Sequence, residues 1–187
     1  MTRRPAVFLD RDGVLNRTDV RDGKPYAPRR VEDFRLLPGS ASAVRQLRQA
    51  GFLVVVVTNQ PDIANGHVSA AVVEAMHREL LRRVPIDAIE MCPHRDADGC
   101  VCRKPRPGLL LAAADRLGID LEASFLVGDR ARDIVAGHTA GCYTVFIDRG
   151  YREPRPAQAD AVVRSLPEAA RRILAVATIT HNAEGQR

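Results

Sequence analysis

The run Phe52-Leu53-Val54-Val55-Val56-Val57 constrains this chain more than any other stretch. It is apolar at every position and mostly β-branched, with none of the alternation of a strand that has one face in water. Such a run belongs to a strand covered on both faces, the environment of a parallel sheet flanked by helices. Parallel neighbours need long crossovers, usually helical, and the rest of the chain supplies both parts. Further apolar runs occur at Val7-Phe8-Leu9, Ala88–Met91, Phe125-Leu126-Val127 and Thr144–Ile147, with Ala161-Val162-Val163 a candidate sixth strand. Helical stripes lie between them: Ala43, Val44, Leu47 and Ala50 after Gly39, then Val72, Val73, Met76, Leu80 and Val84 over 69–84. Leu109, Leu110, Ala113 and Leu117 form a third, opened by Pro107 and closed by Gly118. A fourth runs to about Gly141, and Ser165–Ala177 is a fifth, with Ser165 and Glu168 at capping-box spacing. The alternation predicts an α/β fold with a single doubly wound, Rossmann-like parallel sheet, helices on both faces and no large cap domain. Residues 1–177 form one domain in this reading, 17–38 a long aperiodic loop and 178–187 a flexible tail.

The strands end in polar residues. The first stops at Asp10 and Asp12, with Gly13 to turn the chain; the long apolar strand stops at Thr58-Asn59; the fourth stops at Asp129, with Asp133 one helical turn later. In doubly wound sheets ligands bind outside the carboxyl ends of the strands, at the switch point, so these residues are expected to converge. Taken alone, Asp10–Gly13 could be a surface turn and Asp133 a solvated helix charge. Together, several carboxylates in one mouth require a cation, and Mg²⁺ takes such oxygen ligands beside a substrate phosphate. Phosphoryl transfer needs this kind of array, since its catalysis is mostly positioning and charge stabilisation.

Cys92-Pro93-His94 and Cys100-Val101-Cys102 form a Cys₃His set of the closed, structural Zn²⁺ type. The alternatives are a disulfide with one free thiol, or reduced cysteines without a ligand. Arg103-Lys104 follow the last thiol directly, so the metal would pin the loop that carries both cations. Cys142 stands apart and reads as a core residue. His77 reads as a surface or boundary residue. The net charge of +5 suits an anionic ligand, but the arginines are spread along helices and tails. With 4% aromatics and no Trp, a stacking platform for nucleic acid is not expected. No apolar run has membrane-spanning length and no secretory leader is evident; a cytoplasmic, monomeric enzyme is the expectation.

The four strand-end and loop motifs, Asp10-Arg11-Asp12-Gly13, Thr58, Lys104 and Gly128-Asp129 through Asp133, resemble those of the haloacid dehalogenase superfamily of phosphohydrolases. The resemblance implies that Asp10 is the nucleophile that forms an aspartyl phosphate and that Asp12 is the general acid and base. It implies Mg²⁺ on Asp10, Asp129 and the Asp12 carbonyl, with Thr58 and Lys104 on the transferring phosphoryl group and Asp133 orienting Lys104 or the metal waters. The cysteine loop, continuing as Cys102-Arg103-Lys104-Pro105-Arg106-Pro107-Gly108, is similar to that of the capless, zinc-loop branch, which includes heptose-bisphosphate and histidinol-phosphate phosphatases. Within that branch Asn59 and Arg103 would contact the substrate. Arg103, Lys104 and Arg106 offer more positive charge than one phosphate needs, which favours a phosphorylated sugar such as the heptose 1,7-bisphosphate, cleaved at C7. Histidinol phosphate is the alternative, and a nucleic-acid 3′-phosphatase or a non-catalytic phosphate-binding module are remoter ones.

Overall fold

The computed structural model describes residues 3–184, with side chains described as far as Thr178. Six strands form one parallel sheet: β1 (Arg4–Leu9), β4 (Leu53–Asn59), β5 (Ala88–Cys92), β6 (Ile119–Gly128), β7 (Tyr143–Ile147) and β8 (Ala161–Val163). Their order is β5-β4-β1-β6-β7-β8. The chain builds outward from β1 on one side, then returns to lay β6 on the other, so the switch point falls between β1 and β6. Leu9 is in register with Val56 of β4 and Val127 of β6, which brings the ends of all three strands to one place.

Alternate residues of each strand face opposite layers. Val7, Leu9, Val54, Val56 and Val127 pack against α1 (Ser40–Gln49), α2 (Ala70–Arg83) and α5 (Leu166–Glu184) through Val44, Leu47, Met76, Leu80 and Ile173. Ala6, Phe8, Val55, Val57 and Leu126 face α3 (Gly108–Leu117) and α4 (Ala131–Ala140) through Leu110, Ala113 and Ala136. Val54 through Val57 are wholly inaccessible to solvent, as a strand covered on both faces must be. Cys142 is buried in the second layer, and that burial pushes its thiol up to about 12, so it is an inert core group.

Three expectations change. Residues 17–38 are not an aperiodic loop: they contain an antiparallel hairpin, β2 (Asp19–Arg21) and β3 (Lys24–Tyr26), and a turn of 3₁₀ helix at Val31–Asp33. Asp22 and Gly23 both have positive φ, 50° and 76°, the conformation Asp-Gly favours in a two-residue hairpin loop. The fourth sheet strand begins at Ile119, well before Phe125, although its first half is partly exposed. The last helix runs on to Glu184 instead of ending at Ala177; residues 185–187 of the expected tail lie outside the described part. Ser165 accepts from the Glu168 amide as expected, but Glu168 caps the Arg164 amide instead of closing the box on Ser165. Among the described residues no helix is long and apolar enough to cross a membrane.

Candidate active site

Asp10 leaves the end of β1 with its amide bonded to the Val127 carbonyl at 2.9 Å. This backbone bond across the switch point sets its carboxylate between β4 and β6. Lys104 arrives from a loop 94 residues downstream, and its ammonium donates to Asp10 Oδ1 at 2.9 Å and to the Val57 carbonyl at 2.8 Å. Asp133 Oδ1 stands 2.7 Å from the same nitrogen. A lysine 1% exposed is tolerable only because three acceptors replace its water shell; the two carboxylates hold its pKa up at about 12, against burial. Asp133 is equally buried and no solvated helix charge. Its second oxygen accepts from the Arg130 amide at 3.0 Å, so it caps α4 and orients Lys104 at once.

Asp10, Asp129 and Asp133 bring one carboxylate oxygen each to within 4.8 Å of one another. Burial pushes Asp10 up to about 6 and Asp129 well above the carboxylate range, and the neighbouring carboxylates add to both shifts. Tyr151 donates to Asp129 Oδ2 at 2.9 Å, with Thr18 3.1 Å behind it. Asp129 Oδ1 is buried with no hydrogen-bond partner. A buried, unpartnered carboxylate oxygen beside a second carboxylate fits a hard divalent cation. Gly13 completes the cradle: a Cβ there would fall 1.8 Å from Asp129 Oδ2.

Asp12 engages a different set. It accepts from Arg11 at 2.9 Å, Asn16 at 2.9 Å and Gln60 at 2.7 Å. The same Gln60 nitrogen donates to Thr58 Oγ1 at 2.9 Å, which leaves the threonine hydroxyl proton free to donate elsewhere. Arg11 is fully buried, and His77 Nε2 lies 3.1 Å from it. The ring must accept from the guanidinium and is therefore neutral; burial, with Arg11 beside it, lowers its pKa to about 4. His77 is thus a boundary residue with a defined partner.

The cysteine set assembles as expected. His94 Nδ1 lies 3.6 Å from Cys92 and 3.3 Å from Cys102, and the thiol sulfurs are separated by 3.2 Å to 3.6 Å. A tetrahedron with Zn–S bonds of about 2.3 Å has edges of about 3.8 Å, so the four atoms outline a metal-sized tetrahedron. The four cysteines are free thiols, which removes the disulfide alternative from the structure. One assignment shifts and one gains a partner. The Asn59 amide donates to the Lys104 carbonyl at 3.0 Å and accepts from its N–H at 3.2 Å, so it holds Lys104 in place while lining the cleft with its second N–H uncommitted. Arg106 donates to the Gly99 and Cys100 carbonyls and does not line the cleft, so it adds no charge there. Arg103 does line it, paired with Asp96.

Asp10, Asp12, Lys104, Asp129 and Asp133 line a cleft of about 280 Å³, whose wall also includes Lys24, Pro25 and Tyr26 of the hairpin. Sequence reasoning missed Gln60, Tyr151, Thr18 and Arg132. Gln60 carried a signal, since it continues the polar strand end Thr58-Asn59; Tyr151 and Thr18 come from connecting segments without a strand-end pattern.

Residues 101–169 match the HAD-hydrolase-like family model. The D-glycero-β-D-manno-heptose-1,7-bisphosphate 7-phosphatase of Pseudomonas aeruginosa is 38% identical over 152 residues, covering 79% of this chain and 83% of its own. The enzyme of the same name from Escherichia coli is 37% identical over 179 residues, 88% and 91% of the two chains. Among solved structures, the D,D-heptose 1,7-bisphosphate phosphatase of B. bronchiseptica, complexed with magnesium and phosphate, superposes with a TM-score of 0.77 at 34% identity, covering 91% of this chain and 98% of that one. The chain belongs to the HAD-like phosphatases. Within them its relatives are the heptose-bisphosphate 7-phosphatases, and the parallel α/β sheet is theirs.

Proposed function

We propose that this chain is a phosphomonoesterase that removes the C7 phosphate of D-glycero-β-D-manno-heptose 1,7-bisphosphate through an aspartyl phosphate on Asp10. The observation that carries the chemistry is a buried Asp10 fixed by Lys104 beside the unpartnered oxygen of Asp129. Asp10 attacks phosphorus, the ester C–O oxygen leaves, and Asp12 supplies its proton. Asp12 then takes a proton from water, which attacks the phosphorus of the aspartyl phosphate, releases inorganic phosphate and restores Asp10. Lys104 and the free hydroxyl proton of Thr58 stabilise charge on the phosphoryl oxygens. Asp10, Asp129 and the Asp12 carbonyl would hold Mg²⁺, which supplies Lewis-acid stabilisation of the same oxygens.

Cys92, His94, Cys100 and Cys102 hold a structural Zn²⁺ in this reading, and Asn59 and Arg103 serve the substrate side of the cleft. A reducing, cytoplasmic compartment, where a thiol set stays available to a metal, and a monomer complete the reading. The names of the relatives favour the heptose bisphosphate over histidinol phosphate. The test is the ratio of kcat/KM for these two substrates, which measures differential transition-state binding. A ratio well above one is expected; a preference for histidinol phosphate overturns the substrate while leaving the phosphatase chemistry in place.

A further inference from the structure

Three guanidinium groups, those of Arg103, Arg130 and Arg132, line the cleft beside the carboxylates. Two are satisfied: Arg103 by Asp96 and Arg130 by Glu153. Arg132 has no ion pair or hydrogen bond among the described residues, although it is half-buried. Asp133, Asp96 and Glu153 are close enough to act on it electrostatically, and all three are taken, by Lys104, Arg103 and Arg130 respectively. Burial and the neighbouring Arg130 depress its pKa, so the protein alone holds this charge at a cost. Its place aggravates that cost, because it lies in the first turn of α4, where the helix dipole opposes a cation.

An unpaired guanidinium so placed wants an anion. Asp133, the next residue, turns its carboxylate onto Lys104 at the reacting end of the cleft. The two neighbours thus differ: the Asp133 carboxylate is committed to Lys104, and the Arg132 guanidinium faces the cleft without a partner among the described residues. Resting on the bisphosphate reading above, we propose that Arg132 receives the phosphate that is not cleaved and so sets the preference for a bisphosphate over a monophosphate. A planar fork matches phosphate oxygens two at a time, and the incoming dianion supplies the partner that the fold withholds.

The test compares kcat/KM for the heptose 1,7-bisphosphate with that for the heptose 7-phosphate, which keeps the scissile ester and lacks the second anion. Arg132→Ala should lower the bisphosphate-to-monophosphate ratio about thirtyfold, equivalent to about 2 kcal/mol, mainly through KM for the bisphosphate. Arg132→Lys should recover part of the preference as a point charge, and Arg132→Gln, which keeps the stem, should behave like alanine should the alanine variant prove poorly folded. Arg116→Ala removes an exposed cation, paired with Glu90, that does not line the cleft, and should leave the ratio unchanged. An unaltered ratio in both Arg132→Ala and Arg132→Gln, with a wild-type enzyme that prefers the bisphosphate, overturns the role of Arg132 alone. A wild-type enzyme without that preference overturns the bisphosphate reading and this inference with it.

Discussion

Gly13 offers a test that separates backbone strain from damage to the carboxylate site. Its φ is +85°, and an added Cβ would lie 1.8 Å from Asp129 Oδ2, 2.6 Å from Asp129 Cγ and 3.0 Å from the Tyr151 hydroxyl. Two costs follow from Gly13→Ala. The backbone cost, an L-residue in the left-handed region, is about 1–2 kcal/mol. At about 2–4 °C per kcal/mol for a chain of this size, it lowers Tm by roughly 2–8 °C. The second cost falls on Asp129, whose carboxylate must retreat by roughly 1.5 Å to reach ordinary contact. Asp129 is 2% exposed and tied to Tyr151, so that retreat breaks the arrangement facing Asp10.

A misplacement of about 1 Å at a reacting centre costs on the order of 100-fold in rate. Gly13→Ala should therefore lose about two orders of magnitude in kcat/KM and need far more Mg²⁺ for half-maximal activity. Gly51→Ala is the control: its φ is +93°, with open space around the added Cβ. It should show the same fall in Tm with normal Mg²⁺ dependence. The assay is phosphate release against Mg²⁺ concentration, with thermal melts of both variants. If Gly13→Ala melts early yet keeps wild-type turnover and Mg²⁺ requirement, Asp129 does not work from the position described.

Asp10→Asn should lower kcat by several orders of magnitude with the circular dichroism spectrum unchanged; near-normal turnover would exclude the covalent route. Lys104→Met strands two buried carboxylates and should cost about 3–5 kcal/mol of stability in urea unfolding as well as nearly all activity. His77 is neutral in the fold, with a pKa of about 4, whereas the unfolded chain takes up its proton near the ordinary value of 6.5. Its contribution to stability is therefore lost as pH falls from 6.5 towards 4. Discounted for its partial exposure, the loss is about 2 kcal/mol. In His77→Gln, which can still accept from Arg11, urea unfolding should lose less stability than wild type across that interval; parallel curves would refute the burial argument. Protein prepared without chelator should carry about one zinc per chain, and Cys100→Ala should abolish that and lower both Tm and kcat.

The fold was legible because the signals were local and redundant. Phe52–Val57 could be a doubly covered strand and little else, and Gly39, Ser69, Gly118 and Gly141 mark helix ends where the structure has them. The hairpin was missed because aperiodic Arg- and Pro-rich sequence outweighed the one informative pair, Asp22-Gly23. The carboxylates and Lys104 could be read as a set because strand ends converge by topology. The partners of that set could not: Tyr151 meets Asp129, and Arg11 meets His77, only through contacts that span 22 and 66 positions of chain. Asn59 shows the limit most clearly. Its position at a strand end suggests the substrate, but no local pattern announces its pair of hydrogen bonds to the Lys104 backbone, 45 positions away.

That last contact links the cysteine cluster to the chemistry. Cys92 is the final residue of β5 and the register partner of Asn59 on β4, and its carbonyl accepts from the Gln60 amide at 2.7 Å. The cluster is therefore anchored to the strand that carries Thr58 and Asn59, and to Gln60 just beyond its end. Cys102, at its other end, stands two positions before Lys104. Between them, Arg103 donates to the His94 carbonyl at 3.2 Å and to Asp96, which fixes the middle of the loop. A lysine on a free loop would give up rotamer and backbone entropy each time it entered a site 1% exposed to solvent. Here the loop is clamped at Cys92, Arg103 and Asn59 before the ammonium meets Asp10, so most of that entropy is already lost in the folded state. The Zn²⁺ proposed above would suit this task as a closed site better than an open one, because it would hold a neighbouring cation still, with no coordination position given to substrate.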